Sequence, residues 1–285
     1  MRDETQGPSL RAGAVYMQTN EPESNRLLAF ERAEDGTLTP AGDYETGGAG
    51  DGVPHVTSQG SVVLTGDGRN LLVTNVGSGD LSVFGLGESG PVLAQTVPTG
   101  SAPKSVAEHE GLVYVLNPGA PSLVGFRLTG STIEPLTGST RELEDGSDSA
   151  QIGFSPDGAT LVVTQRGANA IVAYSVDAAG YLGVPRVQPS SGPTPYGFAF
   201  TKRGALVVTE AFGAQMGKAA ASSYLLSGGR TEPVSRSVAN GRSEICWAVI
   251  TNDDRYAFTT NFADGAVSRY AIGADGSITL EDATA

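Results

Sequence analysis

A run of apolar residues that ends in an amide or a carboxylate recurs six times along the chain. The six runs end at equivalent points of the repeat, at Asn20, Asn75, Asn117, Gln165, Glu210 and Asn261. Successive ends lie about 42 to 55 residues apart, which is close to the length of one four-stranded propeller blade. The repeat therefore predicts an all-β fold, a β-propeller of which six blades are present.

Each repeat after the first carries the signals of four antiparallel strands. Turn sequences such as TGDGRN (65–70) and SPDGAT (155–160) precede the repeated run, and their Asp-Gly pairs tolerate the positive φ of tight hairpins. A first strand lies before each turn, while a third strand and a more polar fourth strand follow the run. The runs LLVT and LVVT are almost entirely apolar, which suits a second strand that neighbouring blades cover on both faces.

The first repeat departs from this pattern. It begins at Gly13 directly with its second strand, and no spare strand follows the sixth repeat to complete it. Either the N-terminal segment fills the first blade, or the chain lacks a final unit. We expect residues 1–12 to form an N-terminal tail and residues 13–285 to form a single propeller domain.

The charge balance restricts the partners. The formal net charge is −13, so nucleic acid and anionic membranes are poor partners for this chain. No apolar run is long enough to span a bilayer, and the first ten residues, MRDETQGPSL, lack the apolar core of a secretory signal. Cys246 is the only cysteine, which rules out an intrachain disulfide. These features predict a soluble cytoplasmic protein.

The polar ends of the six runs are candidate site residues. In a propeller the strand ends converge on the central channel, and channel mouths commonly bind ligands. In one interpretation these side chains cap the strand ends by bonding the following turn. In the other they line the channel, where Glu210, the one carboxylate among five amides, acts as a general base or an ion ligand.

Further candidates lie where the first strands of the fifth and sixth repeats begin. Tyr196, Arg242, Glu244 and Trp247 are expected near the same mouth, where the arginine would bind an anion and the aromatic rings would stack on a ligand. The alternative is that both aromatic residues pack between blades and that Arg242 pairs with Glu244. His55, in the loop GVPHVTSQG, is a candidate acid or base, whereas His109 is expected at the surface.

Metal and nucleophile motifs are not apparent. The sequence has no GxSxG elbow, HExxH or CxxC, and Cys246 has no recognisable histidine partner. We therefore expect no cofactor and no metal. A calcium site built from Glu210, Asn75, Asn117 and Asn261 is the one alternative that oxygen chemistry allows.

Several segments resemble the lactonase family of bacterial β-propellers, which includes 6-phosphogluconolactonase and the fungal carboxymuconate lactonising enzyme. The resemblance rests on FSPDGATLVVTQRGANAIVAYSVD (154–177), TPYGFAF (194–200), LVVTEAFG (206–213) and residues 246–280. It implies a seven-bladed ring with a metal-free active site at the channel, so a last blade is missing here. The fungal relatives use Arg, Glu and His, for which Arg242 or Arg166, Glu210 and His55 are chemically similar.

The resemblance predicts hydrolysis or formation of a small lactone, with a lactone or sugar acid as the ligand. Glu210, with His55, would move protons, while Asn75, Asn117, Gln165, Asn261 and an arginine hold the substrate. The second repeat reads SQGSVVLTGDGR (58–69) and lacks the histidine-rich entry of phosphogluconolactonases, which argues against 6-phosphogluconolactone. The alternative is a non-catalytic propeller that binds a protein or a small molecule at its mouth.

Overall fold

The computed structural model describes residues 13–53, 59–227 and 229–285. The predicted tail, residues 1–12, and the candidate His55 lie outside the described residues. The chain divides between Glu142 and Leu143 into two compact units. Each unit contains three antiparallel sheets, which follow one another in sequence.

The first unit holds sheets one to three. The strands of sheet one are β1 (Ala14–Gln18), β2 (Arg26–Arg32) and β3 (Leu38–Glu45). Those of sheet two are β4 (Val62–Leu64), β5 (Asn70–Asn75), β6 (Asp80–Gly87) and β7 (Gly90–Pro98). Those of sheet three are β8 (Ser105–His109), β9 (Leu112–Asn117), β10 (Ser122–Thr129), β11 (Thr132–Pro135) and β12 (Arg141–Glu142).

The second unit holds sheets four to six. The strands of sheet four are β13 (Ser149–Phe154), β14 (Thr160–Gln165), β15 (Ala170–Ser175) and β16 (Arg186–Pro189). Those of sheet five are β17 (Pro195–Phe200), β18 (Ala205–Glu210), β19 (Ala220–Ser227) and β20 (Arg230–Ala239). Those of sheet six are β21 (Ile245–Ile250), β22 (Tyr256–Asn261), β23 (Ala266–Ile272) and β24 (Ile278–Asp282).

The sheets confirm the predicted meander, with one local difference in sheet three. Sheet one has three strands in the order β1-β2-β3 among the described residues, as expected from its missing first strand. In sheet three the fourth strand is broken, because both β11 and β12 pair with β10. The only helix among the described residues is the 3-10 turn Phe212–Ala214, so no described helix could cross a membrane.

The Asp-containing turns form as the sequence predicts, and the same hydrogen bonds recur in three of them. The hydroxyl group two residues before Asp67 donates to its carboxylate at 2.7 Å, and the equivalent bonds to Asp157 and Asp253 measure 2.5 and 2.6 Å. These bonds lower the pKa of the carboxyl groups of Asp67 and Asp253. The repeat therefore fixes the hairpin between the first and second strands.

The core lies between neighbouring sheets of the same unit. Strands β5, β9, β14 and β18 are buried along their whole length, which explains their apolar composition. One cluster, which includes Leu72, Val113 and Phe126, joins sheets two and three. Another, with Val162, Phe198 and Tyr224, joins sheets four and five. A sheet of this type is stable because its neighbours cover its faces.

Sheet six differs, because one of its faces is exposed. Strand β22 alternates half-buried and buried residues, whereas the equivalent β18 is buried throughout. On the exposed face Phe258 lies opposite Val249, which is 60% exposed. Trp247 on the same strand is 39% exposed, so the expectation that it packs between two sheets is wrong for the described residues.

Candidate functional site

The repeated polar side chains lie where consecutive sheets meet. Glu210 ends β18, and its carboxyl group is fully buried. One oxygen, Oε1, accepts hydrogen bonds from Ser222 Oγ at 2.5 Å, from the Gly192 amide at 2.8 Å and from Ser190 Oγ at 3.4 Å. The other, Oε2, accepts from Ser237 Oγ at 2.7 Å. Glu210 thus joins the third and fourth strands of its own sheet to the segment that leaves sheet four.

The asparagines at the ends of β5 and β22 make equivalent bonds. Asn75 donates to Ser82 Oγ at 2.8 Å and accepts from Thr46 Oγ1 at 2.8 Å. Asn261 donates to Ser268 Oγ at 2.9 Å and accepts from Asn240 Nδ2 at 2.8 Å. In both cases the serine lies on the third strand of the same sheet, and the other partner lies just after the preceding sheet.

Asn117 also bonds the segment just after the preceding sheet, but both of its hydrogen bonds are made with a single residue. Its amide donates to the Thr99 carbonyl at 3.1 Å and accepts from the Thr99 hydroxyl at 3.1 Å. Like Asn75 and Asn261, it is buried. We call these four residues, Asn75, Asn117, Glu210 and Asn261, the seam residues, because each links its sheet to the preceding one.

Asn20 and Gln165 do not share these bonds. Strand β1 ends at Gln18, so the prediction that Asn20 ends this strand is wrong. Asn20 lies in the following loop, where its amide donates to the Val53 carbonyl at 2.9 Å. Gln165 ends β14 as expected and is buried.

The side chains of the proposed calcium ligands are hydrogen-bonded to other residues. The side-chain oxygens of the four seam residues each accept a hydrogen bond from a hydroxyl or amide group within their own seam. Within the described ranges, no group of three or more His, Cys, Asp or Glu side chains is placed to hold a metal ion.

A different group of polar residues comes together at the start of the first strands in the second unit. The guanidinium group of Arg166, the residue after Gln165, donates from Nη2 to Asp148 Oδ1 at 2.6 Å. Its central carbon lies 4.9 Å from the centre of the Tyr196 ring, which is a cation–π distance. Two candidates from sequence, Arg166 and Tyr196, are therefore neighbours.

Two buried polar atoms of this pair, Arg166 Nε and the Tyr196 hydroxyl, have no partner at standard hydrogen-bond geometry among the described residues, although the two side chains are close enough for a weak bond to each other. Tyr196 is 4% exposed. Burial raises the pKa of the phenol to about 12, although the charge of Arg166 and a weak side-chain hydrogen bond from it act in the opposite direction. The phenol therefore keeps its proton at neutral pH and is a hydrogen-bond donor. Buried polar groups without a partner are uncommon and call for an explanation.

Cys246 and Glu244 lie beside this pair. The hydroxyls of Thr164 and Thr209 donate to the carbonyls of Tyr196 and Cys246, each at 2.6 Å, so these two residues hold equivalent positions in sheets five and six. Burial raises the pKa of the Cys246 thiol to about 11, and the Glu244 carboxylate adds to this effect. The thiol is therefore protonated at neutral pH, which argues against a nucleophilic role.

The backbone is strained at three equivalent points of the site. Asp148, Thr194 and Glu244 each immediately precede the first strand of their sheet, with φ of 44°, 58° and 52°. Their carbonyls accept the amide of the residue after the second strand, namely Arg166, Ala211 and Phe262. Non-glycine residues in the left-handed region are uncommon, and such strain is concentrated at functional sites. Among these three equivalent pairs, only the first brings a cation to the strand end.

Other predicted members of the pocket show no contact with the Arg166–Tyr196 pair among the described residues, and their roles stay predictions. Arg242 donates from Nε to the Ala283 carbonyl at 3.1 Å and also bonds the Thr284 hydroxyl. It is held by the residues after β24, so the predicted pairing with Glu244 is wrong. Trp247 lies on the exposed face of sheet six, as described above, and His109 ends β8 in the first unit.

Sequence reasoning missed Asp148. This residue lies in the polar loop EDGSDS before β13, and no motif distinguishes it from the other loop acids. Its equivalence to Glu244 was a usable signal, because both immediately precede a first strand. Aligning the residues just before each first strand would have placed Asp148, Thr194 and Glu244 in one set.

The sequence from residue 61 to residue 211, more than half of the chain, matches a family model described as lactonase, seven-bladed β-propeller. The chain belongs to the lactonase family. Six sheets of this lactonase-family propeller are described here, one fewer than the family description states. No protein of curated function matches the sequence.

Solved structures share the fold of this lactonase-family chain at low sequence identity. A proposed 6-phosphogluconolactonase from Bacteroides fragilis has a TM-score of 0.76 and 14% identity, over 96% of this chain and 81% of its own. The Pseudomonas aeruginosa periplasmic gluconolactonase PpgL has a TM-score of 0.72 and 15% identity, over 95% and 82%. A protein from Lactobacillus plantarum has a TM-score of 0.78 and 12% identity, over 95% and 82%.

Proposed function

We propose that the protein is a lactonase, which hydrolyses a small lactone at the site formed by Arg166 and Tyr196. The family match and the lactonases among the structural neighbours support the reaction class. The observation that supports this location is the pair of buried donors, Arg166 Nε and the Tyr196 hydroxyl, which have no acceptor at standard hydrogen-bond geometry among the described residues. The carbonyl oxygen of a lactone would supply that acceptor.

The chemistry of lactone opening suits two such donors. Water adds to the carbonyl carbon, and negative charge develops on the carbonyl oxygen. Donors that already point to this oxygen stabilise the transition state more than the ground state. The ring C–O bond then breaks, the ring oxygen takes up a proton, and the product is a hydroxy acid. Arg166 and Tyr196 would provide this stabilisation, because one is cationic and the other keeps its proton.

The attacking water needs a base, and Glu244 is our candidate for this role. Its carboxylate lies close enough to Cys246 to raise the pKa of the thiol, and Cys246 in turn acts on Tyr196. Glu244 is also half-buried rather than enclosed. Asp148 is engaged with Arg166 and would instead orient the guanidinium group. We therefore assign proton removal to Glu244 and positioning of Arg166 to Asp148.

The role of Glu210 as a general base stays a prediction that the geometry does not favour. Its two oxygens accept four hydrogen bonds in a fully buried seam. A base must reach the proton that it removes, so Glu210 would first have to leave these partners. Its contacts are those of the other seam residues, which supports a structural role.

The decisive experiment compares single variants on a panel of five- and six-membered lactones. Tyr196→Phe and Arg166→Met should each lose most of the turnover while circular dichroism shows an intact β fold. Glu210→Gln should retain turnover and serves as the control. Full activity of both the Tyr196 and the Arg166 variants would overturn this site, and loss of activity only in Glu210→Gln would restore the seam carboxylate as the base.

A non-catalytic binding function is the second candidate. It is favoured by the apolar surface of sheet six, where Trp247, Val249 and Phe262 are 39%, 60% and 59% exposed. Exposed apolar patches often mark interaction surfaces. This alternative predicts that no lactone of the panel is hydrolysed. It also predicts that Trp247→Ser abolishes binding of a partner, whereas Arg166→Met leaves that binding unchanged.

A further inference from the structure

The face of sheet six that is directed away from sheet five is apolar and open to solvent. The opposite face packs on sheet five, with Tyr270 in the shared core. On the open face Phe258 of β22 lies opposite Val249 of β21, and Trp247 of β21 and Val267 of β23 belong to the same face. Val249, Trp247 and Val267 are all exposed. We call this surface the sheet-six face. Single chains rarely expose a contiguous apolar surface of this kind unless it binds a partner.

The equivalent faces of sheets four and five are each covered by the following sheet, and one hydrogen bond recurs there. Thr164 Oγ1 donates to the Tyr196 carbonyl, and Thr209 Oγ1 donates to the Cys246 carbonyl, each at 2.6 Å. Each threonine, the last residue but one of its second strand, therefore bonds the first strand of the next sheet. Thr260 holds the same place on β22, but within the described ranges it has no such acceptor. The sheet-six face thus repeats a surface that is covered elsewhere in the unit.

The charges on the sheet-six face favour a second copy of the chain as its partner. The guanidinium carbons of Arg255 and Arg269 lie 5.3 and 5.4 Å from the centre of the Tyr256 ring, and Arg269 pairs with Glu281 at 3.1 Å. Because the chain has a net charge of −13, two copies repel each other in most orientations, and the repulsion is weakest where arginines lie at the contact. A face that carries both signs beside an apolar centre can be complementary to itself, as a two-fold contact requires.

The size of the sheet-six face is sufficient for such a contact. Strands β21 to β24 contain five to seven residues each, so the four strands cover an area of about 20 Å by 20 Å. Two sheets packed face to face lie about 10 Å apart, with their side chains interdigitated. Complete coverage would bury roughly 600 to 800 Å² of accessible surface on each copy, which is the lower part of the range of specific interfaces. We therefore expect a reversible dimer and not a permanent one.

We propose that the sheet-six face is a homodimer interface, at which sheet six of one copy packs against sheet six of a second copy about a two-fold axis. Val249 and Trp247 form its apolar centre, and the arginines lie beside them. The inference goes beyond the proposed lactonase function and does not depend on it, because the Arg166–Tyr196 pair belongs to sheets four and five. It also assigns a partner to the exposed surface of sheet six.

Sedimentation equilibrium of the full chain between about 1 and 100 μM tests this inference. We expect the average mass to rise with concentration from that of one copy to that of two and no further, because a two-fold contact is closed. Val249→Glu places a carboxylate in the interface and should keep the protein monomeric over this range. Val187→Glu adds the same charge at a similarly exposed position on β16 of sheet four, and this control should dimerise like the wild type.

Trp247 is the only tryptophan of the chain, so its fluorescence reports on the sheet-six face directly. We expect the emission maximum of the wild type to move to longer wavelength on dilution, because the indole ring returns to water as the dimer dissociates. Val249→Glu should emit at the longer wavelength at every concentration, with the circular dichroism of the wild type. Trp247→Ser, which removes the ring without adding a charge, should weaken the dimer at least about tenfold in sedimentation.

Three outcomes would overturn the inference. They are a wild type that stays monomeric at 100 μM, association that continues beyond two copies, and a dimer that Val249→Glu and Trp247→Ser leave unchanged. Lactone turnover enters neither measurement. A protein that dimerises through this face and hydrolyses no lactone would therefore support the interface and refute only the proposed function.

Discussion

The guanidinium carbon of Arg166 lies 4.9 Å from the centre of the Tyr196 ring, and this pair links sheet four to the first strand of sheet five. The salt bridge to Asp148 fixes the guanidinium group from the other side. Each member of the pair retains a buried polar atom without a partner at standard hydrogen-bond geometry among the described residues. Our proposal is that the carbonyl oxygen of a lactone accepts hydrogen bonds from both side chains.

The first prediction concerns the two donors. Tyr196→Phe removes only the hydroxyl group, and we expect kcat/KM for lactone hydrolysis to fall roughly 100- to 1000-fold, the usual cost of one oxyanion donor. Arg166→Lys keeps the charge but loses the planar donor, so it should lose activity to a similar extent. Steady-state kinetics on a purified lactone would measure both. Wild-type rates in Tyr196→Phe would exclude the hydroxyl from the reaction.

The second prediction concerns the seam. In the wild-type protein the hydroxyls of Ser222 and Ser237 donate to the Glu210 carboxylate. Glu210→Gln replaces one of the accepting oxygens by an amide group that is itself a donor. We expect the free energy of unfolding to fall by about 1 to 3 kcal/mol, the cost of a mismatched buried hydrogen bond. Urea denaturation measures this loss. Activity below the melting transition should stay within about threefold of wild type, in contrast to the Tyr196 variant.

The third prediction concerns Gly192, whose backbone approaches the seam closely. A Cβ atom at this position would overlap Glu210 Oε2 and would lie 2.7 Å from Ser237 Oγ. Gly192→Ala should therefore destabilise the protein by about 1 to 3 kcal/mol, as overpacking does in other cores. Gly66→Ala is the matched control, because its nearest neighbour would be a flexible carboxylate oxygen at 3.7 Å. Equal melting temperatures for the two variants would contradict the close approach.

The fourth prediction is a loss of stability at alkaline pH. The pKa of the Cys246 thiol is raised from 9.0 to about 11, so the unfolded chain releases this proton first. Because the folded state binds more protons above pH 9, its free energy of unfolding falls between about pH 9 and pH 11. The phenol of Tyr196, raised from 10.0 to about 12, extends the loss to higher pH.

The contribution of Cys246 can be separated by substitution. Cys246→Ser removes the titrating thiol, so the decline should begin about one pH unit higher, where Tyr196 takes over. Thermal melts from pH 8 to pH 11 would measure the onset for both proteins. An identical decline in wild type and Cys246→Ser would assign the alkaline sensitivity to other groups.

Much of the fold was predictable because each repeat consists of local sequence patterns, namely apolar strands and Asp-containing turns. The apolar runs that became β14 and β18 and the turn around Asp157 each depend on neighbours in sequence. The three-stranded form of sheet one among the described residues was predictable for the same reason. The exposed face of sheet six was not, because it depends on which residues cover Trp247 and Phe258 in three dimensions.

The site was only partly predictable. Arg166 and Tyr196 were both named as candidates, but their contact joins residues 30 positions apart and was not foreseen. Glu210 stood out because it interrupts a series of amides, yet its bonds to Ser222 and Ser237 match those of a seam residue. The sequence contained one clue to this structural role. A serine follows Asn75 and Asn261 after seven positions, and its hydroxyl accepts a hydrogen bond from that asparagine.

The most direct test of the proposed site at Arg166 and Tyr196 is a crystal structure of the protein with glucono-δ-lactam bound. We predict that the lactam carbonyl oxygen lies within about 2.7 to 3.1 Å of both Arg166 Nε and the Tyr196 hydroxyl. We also predict that Glu210 keeps its bonds to Ser222 and Ser237. A lactam bound against Glu210, or at any position remote from Arg166 and Tyr196, would contradict the central claim.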